Sequence, residues 1–284
     1  PHKNCVVNID MTAAFNYTLL NVTLKITQGG VCMKYAQILF SPTGGTQRVA
    51  ETITGVWGPE VDTVDLTNAA VPSAVFQKED LVLIAVPSYG GRVPALAVQR
   101  LERMQGNGAN CVIVCVYGNR AYEDTLAELQ DCAEHCGFQV LAVIAAIAEH
   151  SILHQYAAGR PDEKDMKELR CFSQKIMEKY RQGGGTISMD IPGNRPYKKP
   201  GGSGLVPKAD SNCVNCGLCA EQCPAQAISR EAIRKADSGK CISCMRCVVR
   251  CPHNARKVNP AMTAAAALAL KKACSVRKEC ELYI

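Results

Sequence analysis

Five apolar runs of strand length recur between residues 35 and 147: YAQILF (35–40), VDTVDL (61–66), LVLIAV (81–86), CVIVCV (111–116) and VLAVIAAI (140–147). Most are continuous and β-branched rather than alternating, which implies burial on both faces and therefore a parallel sheet covered on each side. Between them the pattern predicts helices near 46–55, 94–104, 121–136 and 161–182. The last opens on RPDEKD, where a proline and acidic side chains suit a first turn. Strands alternating with helices in this way predict a doubly wound α/β domain with a five-stranded parallel sheet over residues 33–182.

After Gln182 the periodicity is lost. The stretch GGGTISMDIPGNRPYKKPGGSG is rich in Gly, Pro and Lys and is expected to be a linker, 183–205, packing across the domains on either side. A cysteine-dense segment occupies 206–259. From Pro260 the run PAMTAAAALALKKACS predicts a helix with its lysines near the C-terminal end, followed by a tail to residue 284. Residues 1–32 fit no part of this plan and are read as an extension of unclear role, or as sequence upstream of a start at Met33.

A chain of 284 residues with 47% hydrophobic content can bury the core of one ordinary domain and a small second one. The net charge of +6 is unevenly spread: residues 1–182 carry 16 Lys/Arg against 19 Asp/Glu, while 183–284 carry 16 against 7. The basic end is the cysteine end, which suits docking to an acidic partner protein. Five Phe, one Trp and no interleaving of aromatic with basic residues speak against nucleic acid. No stretch reaches the roughly eighteen apolar residues of a membrane span, and no signal-peptide pattern opens the chain. Eight of the seventeen cysteines fall in two tight clusters, which points to metal in a reducing cytoplasm rather than to disulfides.

Those clusters read C-x2-C-x2-C-x3-C-P twice: Cys213, Cys216, Cys219 and Cys223, then Cys241, Cys244, Cys247 and Cys251. Zinc ribbons use two separated pairs, whereas three evenly spaced thiolates plus a Cys-Pro resemble bacterial ferredoxins with two [4Fe-4S] clusters. In that pattern the fourth cysteine ligates the other cluster, because the local turn cannot bring it back to the iron its neighbours leave open. The expected ligand sets are therefore Cys213, Cys216, Cys219 and Cys251 for one cluster, and Cys241, Cys244, Cys247 and Cys223 for the second.

The first strand ends in SPTGGTQR. The hydroxyls of Ser41, Thr43 and Thr46, with Gly44 and Gly45 permitting close backbone approach, make a phosphate cradle at a helix N-terminus. It lacks the G-K-[ST] of a nucleoside-triphosphate loop and suits a monophosphate. The third and fourth strands end in PSYGGRVP and YGNRAYED, at the same edge of the predicted sheet. A planar ring could lie between these loops, with Tyr89 or Tyr117 stacking on it and the backbone amides of Gly90, Gly91, Gly118 and Asn119 addressing its polar rim, and Ser88 is a further candidate cofactor-binding residue. Cys111, Cys115, Cys132, Cys136, Cys274 and Cys280 are expected to be packing residues, and Trp57 packing or cover.

The SPTGGT loop and the two aromatic-glycine loops resemble flavodoxin. Residues 33–284, including AEHS after the fifth strand and the closing CSVRKECELYI, are similar to the flavodoxin-ferredoxin fusion proteins of anaerobic bacteria. The resemblance implies FMN and two [4Fe-4S] clusters without naming a substrate. Arg92 and Arg120 stand where plain flavodoxins are commonly acidic, and with His150 they are the candidate catalytic residues of an oxidoreductase acting on a small acceptor. The alternative expectation is an electron-transfer module serving a low-potential partner protein.

Overall fold

The continuous apolar runs fold as expected, into strands whose side chains are buried on both faces. The computed structural model describes residues 34–201 and 204–284; the expected extension 1–32 lies outside the described residues. In chain order the elements are β1 (Tyr35–Leu39), α1 (Gly45–Thr54), β2 (Asp62–Asp65), β3 (Ala74–Val75), β4 (Leu81–Pro87), α2 (Ala95–Leu101), β5 (Met104–Gln105), β6 (Asn110–Tyr117), α3 (Thr125–His135), β7 (Gln139–Ile147) and α4 (Glu163–Arg181). There follow β8 (Lys208–Ala209), α5 (Leu218–Glu221), α6 (Arg246–Val249), β9 (Arg256–Lys257), α7 (Pro260–Cys274) and β10 (Glu281–Tyr283).

The main sheet runs β2-β1-β4-β6-β7 in parallel, the doubly wound order of a flavodoxin-like fold, with β10 added antiparallel on β7. That sixth strand, where Leu282 faces Ile144, was not expected from the sequence. Its three residues are too few to show a period. They are held at the sheet edge by polar anchors: the Tyr122 hydroxyl donates to Glu281, Lys164 pairs with Glu279, and Arg277 pairs with Asp162. Four strands, β1, β4, β6 and β7, form the centre of the core with Ile38, Leu83, Ile84, Ile113 and Ile144 fully buried. By contrast β2 is an edge strand and turns Asp62 and Asp65 to solvent.

Helix α4 starts on a capping box in which Asp162 and Asp165 satisfy each other's backbone N–H. Trp57 packs in the core and donates through its indole N–H to the Ser173 hydroxyl on this helix. Cys111 and Cys115 are buried strand residues, as expected of small apolar side chains, and burial pushes the thiols of Cys132 and Cys136 on or beside α3 up to about 12 and about 11.

The stretch expected to be a linker is bound along α3. Arg195 and Tyr197 both reach Asp131, the Lys198 N–H donates to Asp124, and Ile187 donates its N–H to the Val140 carbonyl. The described residues all fall in one compact unit, so the cysteine segment is packed on the sheet domain and not tethered at a distance. No helix among the described residues is long and apolar enough to cross a membrane.

Candidate functional site

The cysteine segment is a duplication with a period of 28 residues, visible in its backbone as well as its cysteines. Asn215 and Ser243 (φ 57° and 52°), Gly217 and Met245 (85° and 61°), and Gln226 and Asn254 (48° and 49°) take left-handed conformations at matching places. Gly217 and Met245 each precede a one-turn helix, α5 or α6. The Ala227 and Ala255 N–H groups donate to the Cys223 and Cys251 sulfurs, both at 3.3 Å. Strands β8 and β9 pair antiparallel and close the two halves on each other.

Two cavities result. Cys213, Cys216, Cys219 and Cys251 line the first; Cys223, Cys241, Cys244 and Cys247 line the second. The crossed sets expected from the spacing are therefore the sets the fold brings together. The four-thiolate donor set of each cavity fits a cubane. Burial pushes the Cys244 thiol up to about 11 and Cys247 to about 12. Burial also acts on Cys251, but N–H donors from Ala255, His253 and Arg256 outweigh it and hold that thiol below its usual value.

The two halves differ in what they face. Val214 is 59% exposed and Cys216 is exposed, whereas their counterparts Ile242 and Cys244 turn inward, Ile242 packing against the core of the sheet domain. The second cavity therefore abuts the sheet domain, and the first opens toward solvent.

What the second cavity abuts is the switch point of the sheet, the crevice beyond the carboxyl ends of β1 and β4 where the strand order reverses. After β1, Gly44 sits at φ 94° as the N-cap of α1. The Ser41 hydroxyl accepts the Gln47 N–H at 2.9 Å, pinning the loop. Among the described residues the N–H groups of Thr43, Gly44, Gly45 and Thr46 and the hydroxyls of Thr43 and Thr46 have no partner, although Thr46 is buried. A ring of unmatched donors at a helix N-terminus fits a phosphate. A Cβ on Gly45 would stand 3.2 Å from that of Ala148, so a glycine keeps the loop close to the end of β7.

After β4, Tyr89 and Arg92 pair across a two-residue turn in which Gly90 and Gly91 both have positive φ (62° and 84°), a geometry that favours glycine. The Ser88 hydroxyl bonds that of Thr125 at 2.8 Å. Desolvation holds the Tyr89 phenol well above the usual range, and the charge of Cys244 adds to this. Arg246, between Cys244 and Cys247, donates to the Pro42 carbonyl at 3.4 Å, and its buried Nε has no partner. Arg100 on α2 ties the same regions, donating to the carbonyls of Leu66 and Pro224.

The loop after β6 is packed against the C-terminal segment. Tyr117 is buried with its ring edge-on to Tyr122, 5.2 Å between centroids. The Asn119 amide donates to the Cys274 and Val276 carbonyls and accepts the Lys278 N–H. The Asn119 side chain is thus taken up by the C-terminal segment, whereas the rim expected of this loop is made by the backbone amides of Gly118 and Asn119. Gly118 is in contact with His150, whose Cβ a side chain at 118 would meet at 2.7 Å.

Of the three expected catalytic residues, the two arginines are engaged elsewhere. Arg92 grips Glu128 bidentately at 2.7 Å, donates to the Lys198 carbonyl and stacks over Tyr197. Arg120 grips Glu123 bidentately at 2.9 Å, and Glu123, held by Arg120 and Lys198, is lowered to about 2. Both guanidinium groups are thus engaged with carboxylates of the same chain and fasten the loops and the linker. His150 accepts the Ile152 and Leu153 N–H groups on Nδ1, which fixes the neutral tautomer with its proton on Nε2. Its pKa is lowered, mainly by burial. Sequence reasoning missed Arg246 and Arg256, whose patterns carry no signal until the two repeats are aligned.

Residues 212–256 match the family described as 4Fe-4S dicluster domain. No curated protein matches the chain significantly. Among solved structures, the Streptococcus pneumonia TIGR4 flavodoxin is 17% identical with a TM-score of 0.36, covering 52% of this chain and 98% of its own. Flavodoxin 1 from Bacillus cereus is 14% identical (TM-score 0.34, 51% and 97%). The Fusobacterium nucleatum flavodoxin bound to flavin mononucleotide is also 14% identical (TM-score 0.33, 52% and 95%). The assignment of the sheet domain rests on its own strand order and register.

Proposed function

We propose that this chain is an iron-sulfur flavoprotein in which two cubanes and FMN share one fold as an electron relay. The observation that carries the reading is the contact between the second cysteine cavity and the loop after β1 at the switch point: Arg246, between Cys244 and Cys247, donates to the Pro42 carbonyl. When bound, the clusters exchange single electrons and the flavin stores two. Thr43, Gly44, Gly45 and Thr46 hold the phosphate, and Tyr89 covers the ring. The cavity of Cys213, Cys216, Cys219 and Cys251 is the outward terminal, with exposed Cys216 and Val214 at its rim. Arg234, donating to the Cys213 carbonyl, gives that rim a positive edge for an acidic carrier protein, while Arg230 is paired with Glu221.

Between the two roles expected from the sequence, engagement of Arg92 and Arg120 favours electron delivery to a partner over turnover of a small acceptor. His150 keeps its Nε2 proton without a partner among the described residues and is the one group left to serve a small acceptor. Iron, sulfide and flavin counts on anaerobically reconstituted protein test the reading. Two full cubanes and one FMN per chain support it; a colourless zinc-filled protein rejects it.

A further inference from the structure

Arg256 is 2% exposed, yet no carboxylate pairs with it among the described residues. Its guanidinium donates to the carbonyls of Pro207 and Ile233 and, at 3.6 Å, to the Cys219 sulfur, and its buried Nε has no partner among the described residues. A guanidinium sealed from water without an opposite charge is among the costliest things a small fold can hold. The charge is not needed for the backbone here. One repeat earlier the same place is Ile228, also buried, in the matching loop after a Cys-Pro. Ile228 lines the second cavity as Arg256 lines the first.

The geometry points to Arg256 as a built-in counter-ion of the clusters, a positioning residue that raises the reduction potential of at least one of them, most directly that held by Cys213, Cys216, Cys219 and Cys251. Uptake of one electron from an external reductant adds one negative charge to a cubane without making or breaking a bond. A fixed cation at Cys219, itself buried, stabilises that added charge more than the oxidised state. The free Nε proton is a further donor toward cluster sulfur. This inference rests on the cluster reading above.

The test is a potentiometric titration of reconstituted wild type, Arg256→Ile, which installs the residue of the first repeat, and Arg256→Lys, followed by electron paramagnetic resonance. In Arg256→Ile with both clusters retained, at least one midpoint potential falls by a factor of ten or more in the reduction equilibrium, 59 mV for one electron, and Arg256→Lys restores most of it. Unchanged potentials in cluster-replete Arg256→Ile overturn the inference. Should the isoleucine variant fail to hold clusters, Arg256→Gln replaces it. Cluster loss in both neutral variants with retention in Arg256→Lys supports the counter-ion, and loss in all three shows a packing role and overturns it. Wild type without iron sinks the cluster reading itself, a result distinguishable from either outcome.

Discussion

Arg246 reaches out from between two cysteines of the second cavity and donates to the carbonyl oxygen of Pro42, in the phosphate loop 204 residues away in sequence. The matching residue of the first repeat, Leu218, makes no such contact and lines the first cavity instead. With its Nε buried and unmatched beside a loop of free N–H groups, Arg246 is placed to add a charge-assisted bond to the anion that loop receives. Arg246→Leu is expected to weaken FMN binding by about 1.5–3 kcal/mol, on the order of ten- to a hundredfold. Flavin fluorescence titration checks it; an unaltered dissociation constant contradicts it.

Arg92 acts on stability. Arg92→Ala leaves Glu128, only 10% exposed, without its cation and removes the grip on the Lys198 carbonyl. The expected loss is about 3 kcal/mol. It should be read as a lower thermal midpoint together with faster proteolysis of the 183–201 segment. Flavin and cluster contents of the folded fraction should match wild type.

His150 gives the stability a pH dependence of its own. Burial lowers its folded pKa from the ordinary 6.5, so the unfolded chain binds its proton first. Its contribution is complete above about pH 6.5 and is lost as pH falls from there toward the folded value. Glu123, lowered to about 2, titrates in a separate and more acidic window, losing its contribution below the ordinary carboxylate range. Chemical denaturation between pH 7.5 and 5.5 should show a decline in wild type that His150→Gln abolishes; an equal decline in both assigns it elsewhere.

Much of this site was legible in the sequence because its determinants are local. Continuous apolar runs announce strands buried on two faces, and the cysteine spacing alone separates the ligand sets, since a short turn can present three thiolates but not the fourth. The Gly-Gly pair at 90–91 is likewise a local demand of its turn. What escaped depends on partners distant in sequence. Nothing near Arg92 announces Glu128, which reaches it from the next helix. Nothing near Asn119 announces that the C-terminal segment takes up its amide, and three residues cannot advertise β10. Arg246 and Arg256 stand out only against Leu218 and Ile228, once the 28-residue repeat is known.

The basic rim of the first cavity predicts salt-sensitive docking. Residues 183–284 carry 16 Lys/Arg against 7 Asp/Glu, so reduction by an acidic low-potential carrier should slow as ionic strength rises and the Debye length shrinks. Stopped-flow rates across a salt series measure this. A flat profile removes the steering argument. Charge reversal at Arg234 should shift the low-salt rate toward the high-salt one.

The relay itself is tested most directly by stopped-flow reduction of FMN-loaded, reconstituted Cys244→Ala beside wild type, with a protein donor. The account predicts that the cubane of Cys213, Cys216, Cys219 and Cys251 is still reduced, while the flavin, which stays bound, is reduced at least tenfold more slowly. Flavin reduction at the wild-type rate without the second cubane would contradict it.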